Sequence, residues 1–159
     1  MKDWKSIPDH ARVWVYQSNR VLSESEISLI QGKAADFINQ WSSHGSRMEA
    51  SFALLHERFL IILADEQKAQ ASGCSIDSSI HFVQSLEEEM KLDFFDRMKV
   101  VYKTLQGLTY ASLQEVPGLV TAGTLCPESI VFDMLISSKK ELDSSFEKKM
   151  SETWMSRYL

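Results

Sequence analysis

Gly73-Cys74-Ser75 is the stretch whose residue types are best placed to do chemistry. Small and polar residues run from Ala69 to Ser75 into a segment with apolar residues at helical spacing, so a loop meets a helix N-terminus there. Unpaired backbone N–H groups and the helix dipole at such a point attract anions, and a thiol beside them ionises more easily. A nucleophilic Cys74 needs a base, and Asp77, His81 and the more distant His44 are the candidates. His81 lies two helical turns on, about 10 Å along the axis, too far to serve Cys74 directly. His44 reaches it only through tertiary folding. A phosphatase loop of the form Cys-x5-Arg is absent, because Ile80 stands where the arginine belongs. The same small residues are good turn formers in their own right, and they match no phosphate-binding or catalytic signature.

Other chemistries have less support. His10, His44, His56 and His81 are scattered at no metal-ligand spacing, and no C-x-x-C or H-E-x-x-H motif accompanies them, so neither metal nor cofactor is expected. Phe59-Leu-Ile-Ile-Leu-Ala-Asp65-Glu66 has the form of an apolar strand delivering an acid to magnesium. The matching phosphate loop is missing: Gly32-Lys33 has Ile27 and Ala34 where glycine and a hydroxyl are required, and it sits inside a helix. P-loop ATP hydrolysis is therefore rejected. RNA-binding sheets stack bases on strand aromatics, and Trp14 and Tyr16 alternate suitably, but the second such strand offers only Phe59.

The elements that must position these residues follow from periodicity. Val13-Trp-Val-Tyr16 is apolar on both faces, as in an interior strand. Ser23 and Glu26 form a capping box, and Ile27, Ile30, Ala34, Phe37, Ile38 and Trp41 mark one helical face, which ends at Ser42-Ser-His-Gly45. Glu49–Leu55 and Arg58–Ala64 read as a hairpin turning at His56-Glu57, with the continuously apolar second strand in mid-sheet. Ile80, Val83 and Leu86 give a second helix, capped by Ser75 or Asp77, and Met98–Leu105 is a fourth strand. The order βαββαβ predicts a ferredoxin-like sandwich over about residues 10–105, with both helices on one face and the first and third strands central. A C-terminal helical extension covers about 106–159. Within it Leu108–Leu113 suits an edge strand and Pro117-Gly118 a break. Cys126-Pro127-Glu128 suits a helix start or the approach to a strand at Ile130–Phe132. Ser138 with Glu141 caps a helix running to about Met150.

Length and composition bound the whole. The 159 residues are 44% apolar and 25% charged, which suits one globular α+β domain and excludes a disordered chain. No apolar run exceeds the six residues Phe59–Ala64, against about 20 for a bilayer crossing. Met1–Pro8 has no apolar secretion core, so a cytoplasmic location is expected. The net charge of -5 disfavours nucleic acid as a partner. Cys74 and Cys126 are too few for a disulfide scaffold and are expected to be free thiols.

Several stretches together carry a resemblance: Val13-Trp-Val-Tyr-Gln-Ser-Asn-Arg20, Trp41-Ser-Ser-His-Gly45, Ala71-Ser-Gly-Cys-Ser-Ile-Asp77, Asp96-Arg-Met98, Ile130-Val-Phe132 and Trp154-Met-Ser-Arg157. The chain resembles, over nearly its whole length, a conserved bacterial family of unknown function often labelled "ABC transporter ATPase". The label implies ATP hydrolysis; the missing phosphate loop argues against it. Similar proteins have a His between the C-terminal Trp and Ser where this chain has Met155. The resemblance picks out Asn19, Arg20, His44, Cys74, Ser75, Asp77, Asp96, Arg97 and Arg157. Of these, Arg20, Asp77, Asp96 and Arg97 are expected to form a buried ion-pair network in preference to a ligand site.

The expected function is a binding or interaction module for an unknown ligand or protein partner, with no nucleic acid or membrane partner and a homodimer possible through strand edges. In that reading Cys74 is buried. The alternative is a small thiol-dependent enzyme or an anion- or phosphate-binding protein centred on the Gly73-Cys74-Ser75 turn. Its catalytic candidates are Cys74, His44 and Asp77; its ligand-binding candidates are Arg20, Gly73, Cys74, Ser75 and Arg97.

Overall fold

Arg12–Gln17 (β1) is β-branched and aromatic on alternate faces, and the chain is extended there as that composition favours. Glu24–Gln40 (α1) follows. Ser23 Oγ accepts from the Glu26 N–H while the Glu26 carboxylate accepts from the Ser23 N–H, the reciprocal cap expected from their spacing. A small hairpin of Ser42–Ser43 (β2) and Ser46–Arg47 (β3) comes next, and Gly45 takes its positive φ there rather than at the helix end. The computed structural model describes residues 2–43, 45–67 and 69–159, so the candidate base His44 lies outside the described residues.

Glu49–Leu55 (β4) and Phe59–Asp65 (β5) form the expected hairpin. His56 and Glu57 both take positive φ, which the mirror-image turn of a tight hairpin requires even without Asn-Gly. Gly73–Met90 (α2) starts earlier than the apolar stripe suggests, because Ser72 is its N-cap and Ser75 returns the bond from the third helical position. Lys99–Thr104 (β6) and Gly107–Ser112 (β7) pair as a second hairpin. Val116–Thr121 (α3) carries Pro117 in its first turn, where a missing N–H costs nothing, so Pro117-Gly118 opens a helix instead of breaking one. Cys126-Pro127 precedes the strand Ile130–Phe132 (β8). Lys139–Ser145 (α4) is capped by Ser138 and Glu141 but ends five residues short of Met150, giving way to the strand Glu147–Lys149 (β9). The last turns, Met150–Glu152 and Trp154–Tyr158, are 3₁₀.

The molecule is a mixed α+β structure, and its sheets correct the ferredoxin-like expectation. The first sheet has the order β1-β5-β4, all antiparallel, as the first three strands of that fold require. The fourth strand, β6, does not join it. Instead β6 enters a second antiparallel sheet of order β7-β6-β8-β9. The edge of β1 is partly taken by the chain before α4: the Val13 N–H donates to Ser137 O and the Lys139 N–H to Ala11 O. So β5 is central, as expected, while β1 is an edge strand. Residues 106–159 are no helical extension, since they supply three of the four strands of the second sheet.

Packing explains why β1 and β5 are apolar on both faces. On one face Tyr16, Leu60 and Ile62 meet Ile30 and Ile38 of α1 and Val83 and Leu86 of α2. On the other Val13, Val15, Phe59, Ile61 and Leu63 meet Val101 and Phe132 of the second sheet and Leu142 and Phe146 around α4. The far face of the second sheet, Val100, Tyr102 and Val131, is covered by Val116 of α3 and by Met150 and Met155. The layers therefore run helices, sheet, sheet, helical turns. Among the described residues no helix is long and apolar enough to cross a membrane.

Two outcomes test this. Ile61→Ala, at a residue with no exposure, should cost about 2–5 kcal/mol in urea unfolding, and Leu105→Ser, at a wholly exposed side chain, less than about 0.5. Equal losses would contradict the two-sided burial of β5. Second, the Arg20 guanidinium, then the Ser23 N–H, hold the Glu26 carboxyl down from its ordinary 4.5 to about 2. A carboxyl depressed in the folded state stabilises above the unfolded value and loses that contribution as pH falls through the folded one. Glu26→Gln should therefore flatten the part of the urea-midpoint profile between about pH 4.5 and 2; a profile parallel to the parent would remove this assignment.

Candidate functional site

Odd-numbered residues of β1 direct their backbone groups away from β5, because side chains and backbone bonds alternate along a strand. At one end of that edge Ala11 and Val13 are bonded to Lys139 and Ser137. At the other, the Asn19 N–H donates to Asp93 O at 2.9 Å and the Asp93 N–H donates to Asn19 Oδ1 at 3.1 Å. Between these two clamps no strand of the described residues lies beside Val15 and Gln17. A cleft of about 380 Å³ opens there, bordered across the gap by Lys99 and Val100 of β6. The Gln17 side chain bridges the gap, donating to Lys99 O at 3.3 Å.

Three loops complete the cleft, and a short polar side chain pins each. The loop before β6 brings Phe94, Phe95, Asp96 and Arg97. Asp93 Oδ1 accepts from the N–H groups of Phe95 and Asp96, and Asp96 Oδ1 accepts from that of Met98. These are Asx turns, the usual local use of an aspartate. The loop after β8 brings Met134 and Leu135, held by Asp133, which accepts from the Leu135 N–H and pairs with Lys148. The last 3₁₀ turn brings Trp154, Met155 and Arg157, capped by the Thr153 hydroxyl.

The cleft is apolar within, and its charged positions are three cations, Arg97, Lys99 and Arg157, and one acid, Asp96. Tyr16 and Phe95 meet edge to face at 5.4 Å, and Phe132 and Trp154 add further rings to the walls. Burial pushes the Tyr16 phenol up, opposed by the Ser79 hydroxyl and the charge of Arg97. Of the charged residues, Asp96 is committed to the Met98 N–H and to Lys99 at 3.6 Å. Arg157 lies against the rings of Trp154 and Tyr158, at 4.8 and 5.2 Å from their centroids. Neither Arg97 nor Arg157 pairs with a carboxylate among the described residues.

The residues singled out in the sequence are dispersed. Arg20 is exposed and forms a two-pronged pair with Glu26, at 2.6 and 2.9 Å. Asp96 pairs with Lys99, while Asp77 and Arg97 are exposed, so the expected buried network of Arg20, Asp77, Asp96 and Arg97 does not form. Gly73, Cys74 and Ser75 lie in the first turn of α2 rather than in a loop before it. Ser75 is buried: its hydroxyl accepts from the Ser72 N–H, and its carbonyl accepts from Trp41 Nε1 at 2.8 Å. Cys74 is exposed, contrary to its expected burial, on a shallow surface bordered by Phe37, Gln40, Trp41, Ser72 and Ser78. No imidazole or guanidinium is on that surface among the described residues.

Only Arg97 of the candidate ligand-binding residues lines the cleft. Periodicity does not reveal the others, since they come from four separate segments. One local signal was available: Phe94-Phe-Asp-Arg97 and Trp154-Met-Ser-Arg157 each place an arginine three residues after an aromatic. Two further groups escaped sequence reading. Arg58 is 3% exposed without a carboxylate partner among the described residues; its guanidinium lies 5.4 Å from the Tyr110 ring centroid, and burial pushes its pKa down. Cys126 is exposed, and the Ser129 hydroxyl, donating to its Sγ at 3.6 Å, is the chief group that lowers its pKa.

No protein-family model, curated protein or solved structure matches the chain.

Because the thiolate is the nucleophile, Ser129→Ala should slow iodoacetamide labelling of Cys126 near neutral pH and move the midpoint of its pH–rate curve upward. Peptide mass spectrometry reads this with Cys74 as the internal reference. An unchanged curve would show that Ser129 does not act on the thiol.

Proposed function

We propose that the chain is a binding module whose ligand occupies the cleft between the uncovered edge of β1 and β6. The observation that carries this reading is the interruption of the β1 edge. Strand edges are normally paired, covered or blunted by charge. Here both ends of the edge are held by hydrogen bonds, and the stretch between them faces an apolar space within the size range of small-molecule sites, about 300–1,000 Å³. Four of the stretches that carry the resemblance to the bacterial family border this space: those around Tyr16-Gln17, Asp96-Arg97, Phe132 and Trp154-Met-Ser-Arg157. That grouping favours a shared ligand site over ATP hydrolysis, for which the chain has no phosphate loop. Met155, which stands where similar proteins have histidine, is buried and keeps this wall apolar.

The thiol-enzyme alternative has weaker support. Cys74 is hydrogen-bonded to no base among the described residues, Asp77 lying exposed three residues on without a bond to the thiol, and the Gly73-Cys74-Ser75 turn uses its hydroxyl for capping. A cytoplasmic location agrees with two free, exposed thiols, which persist in a reducing compartment.

The test is a thermal-shift screen of the full chain against unlabelled small molecules. A ligand at 100 times its dissociation constant adds about 2.7 kcal/mol of stability. Such a ligand should raise the melting temperature of the parent but not of Met134→Trp, which fills the cleft from a half-buried loop position. Equal shifts in both would place the site elsewhere.

A further inference from the structure

The cleft's apolar walls and its charged positions make different demands, and only one kind of ligand meets both. The aromatic and aliphatic walls favour a flat or branched apolar body. Four charged residues line the cleft: Asp96, Arg97, Lys99 and Arg157. Asp96 is drawn off by Lys99 and by the Met98 N–H, which leaves the two exposed guanidinium groups, Arg157 resting on the Trp154 and Tyr158 rings, without a carboxylate among the described residues. Such a concentration runs against the chain as a whole, whose net charge is -5. Elsewhere its cations are commonly matched to acids, as in Arg20–Glu26, Lys33–Glu89 and Lys149–Glu128. Guanidinium groups present paired N–H donors suited to the oxygens of carboxylates, phosphates and sulfonates.

Resting on the cleft being the ligand site, we infer that its ligand is an amphipathic anion. Its apolar body lies between Phe95, Phe132 and Trp154, and its single acidic group is met by Arg97 and Arg157. A neutral apolar molecule offers neither arginine an anionic acceptor. A small polar anion leaves the aromatic walls wet, so neither alone satisfies the site.

A pair of dyes that share a ring system separates these demands. The full chain is titrated with 8-anilinonaphthalene-1-sulfonate and with its uncharged counterpart N-phenyl-1-naphthylamine, following dye emission, for the parent, Arg97→Gln, Arg157→Gln, the double variant and Met134→Trp. The parent should bind the sulfonate at least about tenfold more tightly than the neutral dye, the scale of a charge-assisted hydrogen bond. In the double variant this preference should vanish while the neutral dye binds as before, which also shows that the fold is intact. Raising the salt concentration should shrink the preference in the parent. Equal affinities in the parent, or a preference that survives the double substitution, would overturn the anionic ligand and leave the cleft standing as an apolar site. Dye binding that is absent, or unaffected by Met134→Trp, would overturn the cleft itself and this inference with it.

Discussion

Everything in this molecule depends on β5 being buried on both faces along its whole length. All seven residues from Phe59 to Asp65 are buried. Covering such a strand with helices on one side leaves Phe59, Ile61 and Leu63 facing water, at a cost of roughly 1.5–3 kcal/mol for each large side chain. The two helices of the first half both pack on one face, where Ile30, Ile38, Val83 and Leu86 meet Leu60 and Ile62, and the other face has no helix of that half to cover it. A second layer must come from later in the chain, and Val101, Phe132, Leu142 and Phe146 supply it. The C-terminal third is thus part of the same core rather than an addition to it.

That requirement explains the departure from a single four-stranded sheet. Were β6 to add beside β1, Val101 would leave the second layer and Leu63 and Ile61 would lose part of their cover. By leading a sheet of its own, β6 presents Val101 to the first sheet and Val100 and Tyr102 to the layer beyond. The consequence falls on β1, whose edge is then covered only by what other segments spare. Ser137–Lys139 covers its start and Asp93 its end, and the uncovered middle becomes the mouth of the cleft.

What could be read from the residues follows the range of the interactions concerned. Capping boxes are local, so Ser23–Glu26 and Ser138–Glu141 marked helix starts correctly. The Ser72–Ser75 cap is harder to read because serine replaces the usual acid or amide at the third helical position, so the helix N-terminus expected at Gly73-Cys74-Ser75 is present but begins from Ser72, with these three residues as its first turn. The continuous apolarity of Val13–Tyr16 and Phe59–Leu63 is legible too, but it reports only that both faces of a strand are covered. The inference that β1 must then be central fails because cover can come from a layer above as well as from a strand alongside. The cleft is less legible still: its segments are up to 142 residues apart in the chain, from Val15 to Arg157, and nothing local says that they meet.

The cleft is also built to persist when empty. Its backbone is held at Asn19–Asp93, its loops by the Asx turns of Asp93 and Asp96 and by Asp133, and its C-terminal wall by Thr153. None of these backbone-fixing bonds involves Arg97 or Arg157, although Arg157 also rests on the Trp154 ring and donates to the Tyr158 hydroxyl at 3.4 Å. A site whose walls are set before binding loses little conformational entropy on association, and more of the contact free energy remains as affinity. Exchanging Arg97 for a neutral side chain therefore breaks none of these bonds, and exchanging Arg157 removes only its ring contacts and its bond to Tyr158. Replacing Asp93 would loosen the loop before β6, and replacing Asp133 the loop after β8, through backbone N–H groups left without their side-chain acceptors.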